Sequence, residues 1–100
     1  MQADFGIIYT SHMQLELKIT GKVQGVWYRD HTRKEALRLG LKGFARNETD
    51  GSVTIIATGK KEKLQQLREW CETGSPKSEV SSVEENWRED EASFAGFEIY

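Results

Sequence analysis

The sequence predicts an α+β fold: two helices packed on one face of a mostly antiparallel sheet. Three observations lead there. Leu15, Leu17 and Ile19 alternate with Glu16, Lys18 and Thr20, the period of a half-buried strand. Two later stretches, 28–39 and 61–73, carry apolar residues at helical spacing, and each is followed by a glycine. Between them lie two short strand-like runs joined by Asn47-Glu-Thr-Asp-Gly51, a hairpin-forming link.

Taken in order, residues 1–12 do not fit the pattern and read as a leader. Ser11-His12-Met13 resembles a cloning scar with Met13 as the native start, so one domain is expected over 13–100. Strand Leu15–Thr20 runs into Gly21-Lys-Val-Gln-Gly25, a loop with two glycines. The helix from Tyr28 to Leu39 has Tyr28, Thr32, Ala36 and Leu39 on one stripe. Gly40 suits a left-handed stop, with Leu41 packing back on the last turn. Lys42–Arg46 and Ser52–Thr58 read as strands, and Gly59 is expected to break the second. Leu64, Leu67, Trp70 and Cys71 mark the helix from Lys61 to Thr73, with Gly74 as its stop. Ser78–Trp87 reads as a strand in which Val80 and Val83 fall out of phase, which points to a bulge. Glu89–Ser93 is a solvated loop, and Phe97 and Ile99 open a short closing strand. The order β-α-β-β-α-β plus a terminal strand is the split β-α-β, or ferredoxin-like, arrangement.

One hundred residues make one domain, and one cysteine excludes an internal disulfide. No apolar run approaches the roughly 20 residues of a membrane span, and no signal peptide is visible. A cytoplasmic protein, expected as a monomer, follows by default. A net charge of −2 argues against bulk nucleic-acid binding. The charge is uneven, however. Lys22, Arg29, Arg33 and Lys34 outnumber Asp30 near the first loop, while the stretch 79–100 is strongly acidic.

That basic start frames a candidate site. A loop from a strand end into a helix start presents backbone N–H groups without partners at the positive end of the helix dipole. Such a nest holds an oxyanion. The N–H groups of Val23, Gln24, Gly25, Val26, Trp27 and Tyr28 are the candidate cradle. Arg29, in the first helical turn, can grip two phosphate oxygens with its planar fork. Asn47 enters by topology. In a split β-α-β unit the first two strands run parallel with another inserted between them, so Asn47 ends on the same sheet edge as the loop. Two strand spacings separate the two by roughly 10 Å, room for a phosphate and a water. An amide there can accept from water with its oxygen.

Two stretches then carry a resemblance. Gly21-x-Val23-Gln24-Gly25-Val26-x-x-Arg29 is similar to the first signature of the acylphosphatase family. Gly43-Phe44-Ala45-Arg46-Asn47-x-x-x-Gly51-x-Val53, with Gly59 beyond, is similar to the second, and the tail Phe97–Tyr100 resembles the family's ending. The resemblance spans 14–100. It implies a small stand-alone enzyme that hydrolyses acyl phosphates to carboxylate and inorganic phosphate, with no cofactor and no metal. It implies that Arg29 binds phosphate beside the loop amides and that Asn47 orients the attacking water. Trp27 and Tyr28 are bulkier than many relatives there. Glu48 replaces a frequent hydroxyl residue and is expected to make the pocket edge more negative. The expected ligands are a small acyl phosphate and inorganic phosphate, without nucleic acid or membrane.

Other readings of the same residues are plainer. Asn47 before Asp50-Gly51 can simply cap a hairpin. Gln24 can shape the loop without touching substrate. Lys22 and His31 read as surface residues, Cys71 as helix core, and Trp70 and Trp87 as packing. No His, Cys and acid spacing suggests a metal site, no nucleophilic triad can be assembled, and the Gly59-Lys60 pair lacks the rest of a nucleotide-binding loop. The rival functions are a catalytically silent anion-binding or regulatory domain and a ferredoxin-like RNA-binding module. For the first, the N-terminal domains of hydrogenase-maturation carbamoyltransferases look similar, but they continue into long further domains. The second needs aromatics on the central strands, and 14–20 and 52–58 have none.

Overall fold

Strand and helix follow one another as β1 (His12–Lys22), α1 (Tyr28–Arg38), β2 (Lys42–Asn47), β3 (Val53–Lys60), α2 (Lys61–Thr73), β4 (Glu79–Glu89) and β5 (Phe97–Ile99). The computed structural model describes residues 12–89 and 92–100. The leader expected over 1–12 therefore lies outside the described residues, except for His12, which opens β1. Asp90 and Glu91 of the expected acidic loop lie outside them too.

The sheet has the strand order β4-β1-β3-β2-β5. Strands β1 and β3, β1 and β4, and β2 and β3 pair antiparallel, while β2 and β5 pair parallel. This is the expected α+β split β-α-β arrangement. Alternation decides which face is covered. Leu15, Leu17 and Ile19 of β1, Val53, Ile55 and Ala57 of β3 and Ala45 of β2 are buried together. Their neighbours in sequence point the other way, as the two-residue period requires. Onto the apolar face come Tyr28, Thr32 and Ala36 of α1 and Leu64, Leu67 and Cys71 of α2.

The helix ends behave as the sequence indicates. Gly40 takes a left-handed conformation, and the Leu41 N–H returns to the Ala36 carbonyl at 2.9 Å. That bond satisfies a carbonyl which the end of α1 would leave unpaired. At the end of α2 a side chain serves the same purpose. The Tyr28 hydroxyl donates to the Cys71 carbonyl at 2.7 Å and so ties α1 to α2. Burial pushes the Tyr28 phenol above its ordinary range and the Cys71 thiol up to about 12. Cys71 is therefore a packing residue and no nucleophile.

Two expectations change. Gly59 does not break β3, which continues to Lys60. The Leu41 side chain occupies the space a Cβ on Gly59 would need, at 2.5 Å, so the glycine makes room for packing. Gly21 is not a loop residue either. It belongs to β1 and pairs with Val80 across a register shift after Thr20↔Ser82, so Ser81 is the extra residue of a bulge in β4. That bulge restores Val80 and Val83 to the side packed against the core. A Cβ on Gly21 would lie 2.2 Å from the Glu79 carbonyl oxygen, at a φ of 119°. Only glycine fits this approach.

Replacing Tyr28 by Phe leaves the Cys71 carbonyl buried without its donor. The expected cost is about 1–2 kcal/mol of folding stability, read as a lower urea midpoint with an unchanged slope.

Candidate active site

The connection from β1 to α1 is pinned to the core, and the carbonyls of Val26 and Trp27 are engaged by the protein. Val23 and Val26 are buried and pin the loop to the core. The Val26 carbonyl accepts from the Ser75 hydroxyl at 2.7 Å, and the Trp27 carbonyl accepts the first helical bond from His31 at 3.0 Å. Gly25 adopts a φ of 75° and Trp27 a φ of 64°. For a tryptophan, that left-handed conformation costs on the order of 1 kcal/mol. It turns the chain into α1 with no side chain capping the helix. Among the described residues, the main-chain N–H groups of Gln24 through Tyr28 find no main-chain acceptor. They sit at the positive end of α1, an arrangement that suits an oxyanion.

Arg29 follows in the first turn. Its Nη1 donates to the main-chain oxygen of Tyr100 at 2.5 Å, which fixes the guanidinium while leaving most of its donors for a ligand. Val23, Gly25, Trp27, Tyr28, Arg29, Asp30 and Ile99 line a cavity of about 310 Å³. Asp30 is held by Lys34 at 3.3 Å.

Asn47 comes from the other side of the cradle. Ile19 pairs with Val53 and Val53 with Asn47, so β1, β3 and β2 bring these three residues into one row. The loop begins four residues beyond Ile19. The Asn47 Oδ1 is buried and has no hydrogen-bond partner. A buried amide oxygen without a donor is costly, so the position suits a donor from a water or a ligand group. The hairpin-cap reading of Asn47 does not hold, because other groups close that turn. Asp50 Oδ1 accepts from the Ser52 N–H at 2.9 Å and from its hydroxyl at 2.6 Å. The Glu48 N–H reaches the Ser52 carbonyl at 2.8 Å. Of the Asp50-Gly51 pair, only Gly51 takes a positive φ.

The two halves are tied directly. The Gln24 amide donates to the carbonyls of Glu48 and Ser52, at 2.8 and 2.9 Å. Gln24 thus fastens the loop to the hairpin that carries Asn47, rather than bonding its own loop.

Val23, Gln24, Gly25, Val26, Trp27, Tyr28, Arg29 and Asn47 are accordingly brought to one sheet edge. The side chains differ from expectation at three places. Tyr28 contributes its N–H to the loop while its ring is buried against Trp70, at 5.6 Å between centroids. Glu48 does not line the cavity. Its carboxylate accepts from Thr54 and from Arg46, at 3.0 Å for the arginine, and these bonds hold it below the ordinary range. His31 is half-buried, with Nδ1 buried and unpartnered, rather than a free surface residue. Ser75 and the Tyr100 main-chain oxygen have roles that no local pattern announces, since each acts across 49 or more residues of chain. A larger cleft of about 560 Å³ between α2 and β4, lined by Arg68, Glu85 and Trp87 among others, lies away from these groups. Among the described residues no group of three or more His, Cys, Asp and Glu is placed to hold a metal ion, and no helix is long and apolar enough to cross a membrane.

A family model described as Acylphosphatase matches residues 15–99. The chain belongs to the acylphosphatase family. It is 42% identical over 89 residues to an acylphosphatase of Pelotomaculum thermopropionicum, covering 89% of this chain and 97% of that one. The crystal structure of acylphosphatase from Bacillus subtilis superposes with a TM-score of 0.86 at 32% identity, covering 88% of this chain and 98% of the other. Full-length HypF, in a phosphate- and nucleotide-bound form, shares the fold at a TM-score of 0.81 and 21% identity, over 12% of its length. As an acylphosphatase, the chain is an enzyme, and its fold and family agree with the two signatures read from the sequence.

The hairpin carries a pH signature. Ser52 donating twice to Asp50, with Lys18 at 3.2 Å, holds the Asp50 carboxyl at about 2, below its ordinary 3.8. A lowered carboxyl contributes stability that is present above its unfolded value and is lost as pH falls through the folded one. The Asp50 carboxyl carbon is expected to titrate by NMR near 2. The stability gap between the parent and Asp50→Asn closes over that acid window. An Asp50 midpoint at the ordinary value contradicts the turn geometry.

Proposed function

We propose that the cradle at the start of α1 binds the phosphoryl group of a small acyl phosphate and that the enzyme hydrolyses the carboxyl-phosphate bond without a metal. The observation that carries this reading is the pairing of free N–H groups and Arg29 on one side with the unpartnered Oδ1 of Asn47 on the other. The relatives' name, acylphosphatase, supports the same substrate class.

The chemistry follows from the donor set. The phosphoryl oxygens rest on the N–H groups from Val23 to Tyr28 and on the Arg29 guanidinium. These donors are fixed before substrate arrives, so they stabilise charge on the equatorial oxygens without reorganising. Asn47 Oδ1 accepts from a water and points its oxygen at phosphorus. The new bond forms between the water oxygen and phosphorus. The bond from phosphorus to the acyl oxygen breaks, and its electron pair leaves on the carboxylate. The water's proton passes to a phosphoryl oxygen, so no side-chain base is required. A carboxylate needs no acid to leave. The reading places the enzyme in the cytoplasm as a monomer.

Hydrolysis of benzoyl phosphate in excess chelator tests this. The parent is expected to stay active. Arg29→Ala should raise KM and lower kcat, losing 10²-fold or more in kcat/KM, on the order of one lost oxyanion donor. Asn47→Ala should lower kcat by about 10²-fold with little change in KM. Activity lost to chelator removes the metal-free mechanism. A parent no faster than Arg29→Ala leaves a silent anion-binding domain.

A further inference from the structure

Trp27 occupies an unusual place. It is 74% exposed, the most exposed large apolar side chain among the described residues, and it stands on the rim of the phosphate cavity. Its backbone is left-handed, where glycine or asparagine is the ordinary occupant. Ile99, from β5, is 36% exposed and lines the same cavity. The fold thus sets two apolar side chains, from distant parts of the chain, beside Arg29. Neither is used by the phosphate or the water. A wall of this kind gains from burial only if the bound molecule brings apolar surface of its own. The acyl group is the part of the substrate that projects from the cradle. An indole offers a flat face, so a planar acyl group covers it best. Asp30, on the same lining, disfavours an acyl group that carries a second negative charge.

We infer that Trp27 and Ile99 form an acyl-group subsite that selects acyl phosphates with a flat, uncharged, apolar acyl part, aromatic ones above all, over short aliphatic ones such as acetyl phosphate. This selectivity rests on the phosphate-cradle reading of the same site. Its determinant is the side chain of Trp27, whereas the cradle uses only the N–H of that residue.

The test compares phenylphosphonate with methylphosphonate in binding, and benzoyl phosphate with acetyl phosphate in turnover. The readout is the ratio within each pair. Trp27→Asn keeps a residue that tolerates the left-handed backbone and removes the apolar face. Trp27→Phe keeps an aromatic face, and Ile99→Ala trims the second apolar side chain of the lining. The parent is expected to prefer the aromatic member of each pair. In Trp27→Asn both ratios should fall about tenfold, the worth of one good ring contact with its buried area. Trp27→Phe should stay near the parent ratio and Ile99→Ala should fall a few-fold. An unchanged ratio in Trp27→Asn and Ile99→Ala overturns the subsite, whatever happens to absolute affinity. If the parent binds the phosphonates with the expected preference but hydrolyses neither acyl phosphate, the subsite stands and the hydrolytic reading fails. If the parent shows no preference, the subsite fails and the cradle is untouched.

Discussion

The site depends on one topological constraint: β3 lies between β1 and β2 and runs antiparallel to both. Two strands that flank a common antiparallel neighbour must run the same way. Their ends therefore reach the same edge of the sheet, two strand spacings apart. That single fact puts the entrance of α1 opposite Asn47. The pairing of Ile19, Val53 and Asn47 fixes the register, and a one-residue slip would turn every buried side chain of a strand outward. The apolar alternation that builds the core thus also sets the distance between the start of α1 and the Asn47 amide.

On that frame, hydrogen-bond bookkeeping gives the cradle its polarity. Ser75 takes the Val26 carbonyl, α1 takes the Trp27 carbonyl, and Gln24 spans to the hairpin carbonyls of Glu48 and Ser52. With these two loop carbonyls engaged, the N–H groups of Gln24 through Tyr28 are left without main-chain acceptors among the described residues. Arg29 is steadied by Tyr100, and Arg33 also reaches the last strand, donating to the Phe97 carbonyl at 2.9 Å. The end of the chain therefore helps to hold the face of α1 that bears the guanidinium. Preorganised donors of this kind are worth most where charge builds up during reaction.

Much of this was legible in the sequence, for identifiable reasons. Alternation at Leu15–Ile19 and the helical stripe Tyr28, Thr32, Ala36 are local patterns read directly as burial. The phase break between Val80 and Val83 correctly signalled a bulge. The two long signatures carried the family. What was not legible acts at long range. Gly21 resembled a loop glycine because nothing local reveals that the β4 backbone presses against it. Tyr28 sat on the buried stripe and beside the pocket at once. Packing and the Cys71 carbonyl decide for the stripe, so its ring is buried between the helices. Glu48 looked like an added negative charge at the pocket, but the donors that engage it, Thr54 and Arg46, appear only once the hairpin is folded.

The central claim is that the N–H groups at the start of α1 are the phosphate site. The most direct measurement is a titration of the isotope-labelled protein with inorganic phosphate, followed through its amide resonances. The account predicts saturable changes that are largest at Gln24 through Arg29, with the Asn47 side-chain amide responding in the same titration. Changes centred on the cleft between α2 and β4, or none above those produced by equal ionic strength of chloride, would contradict it.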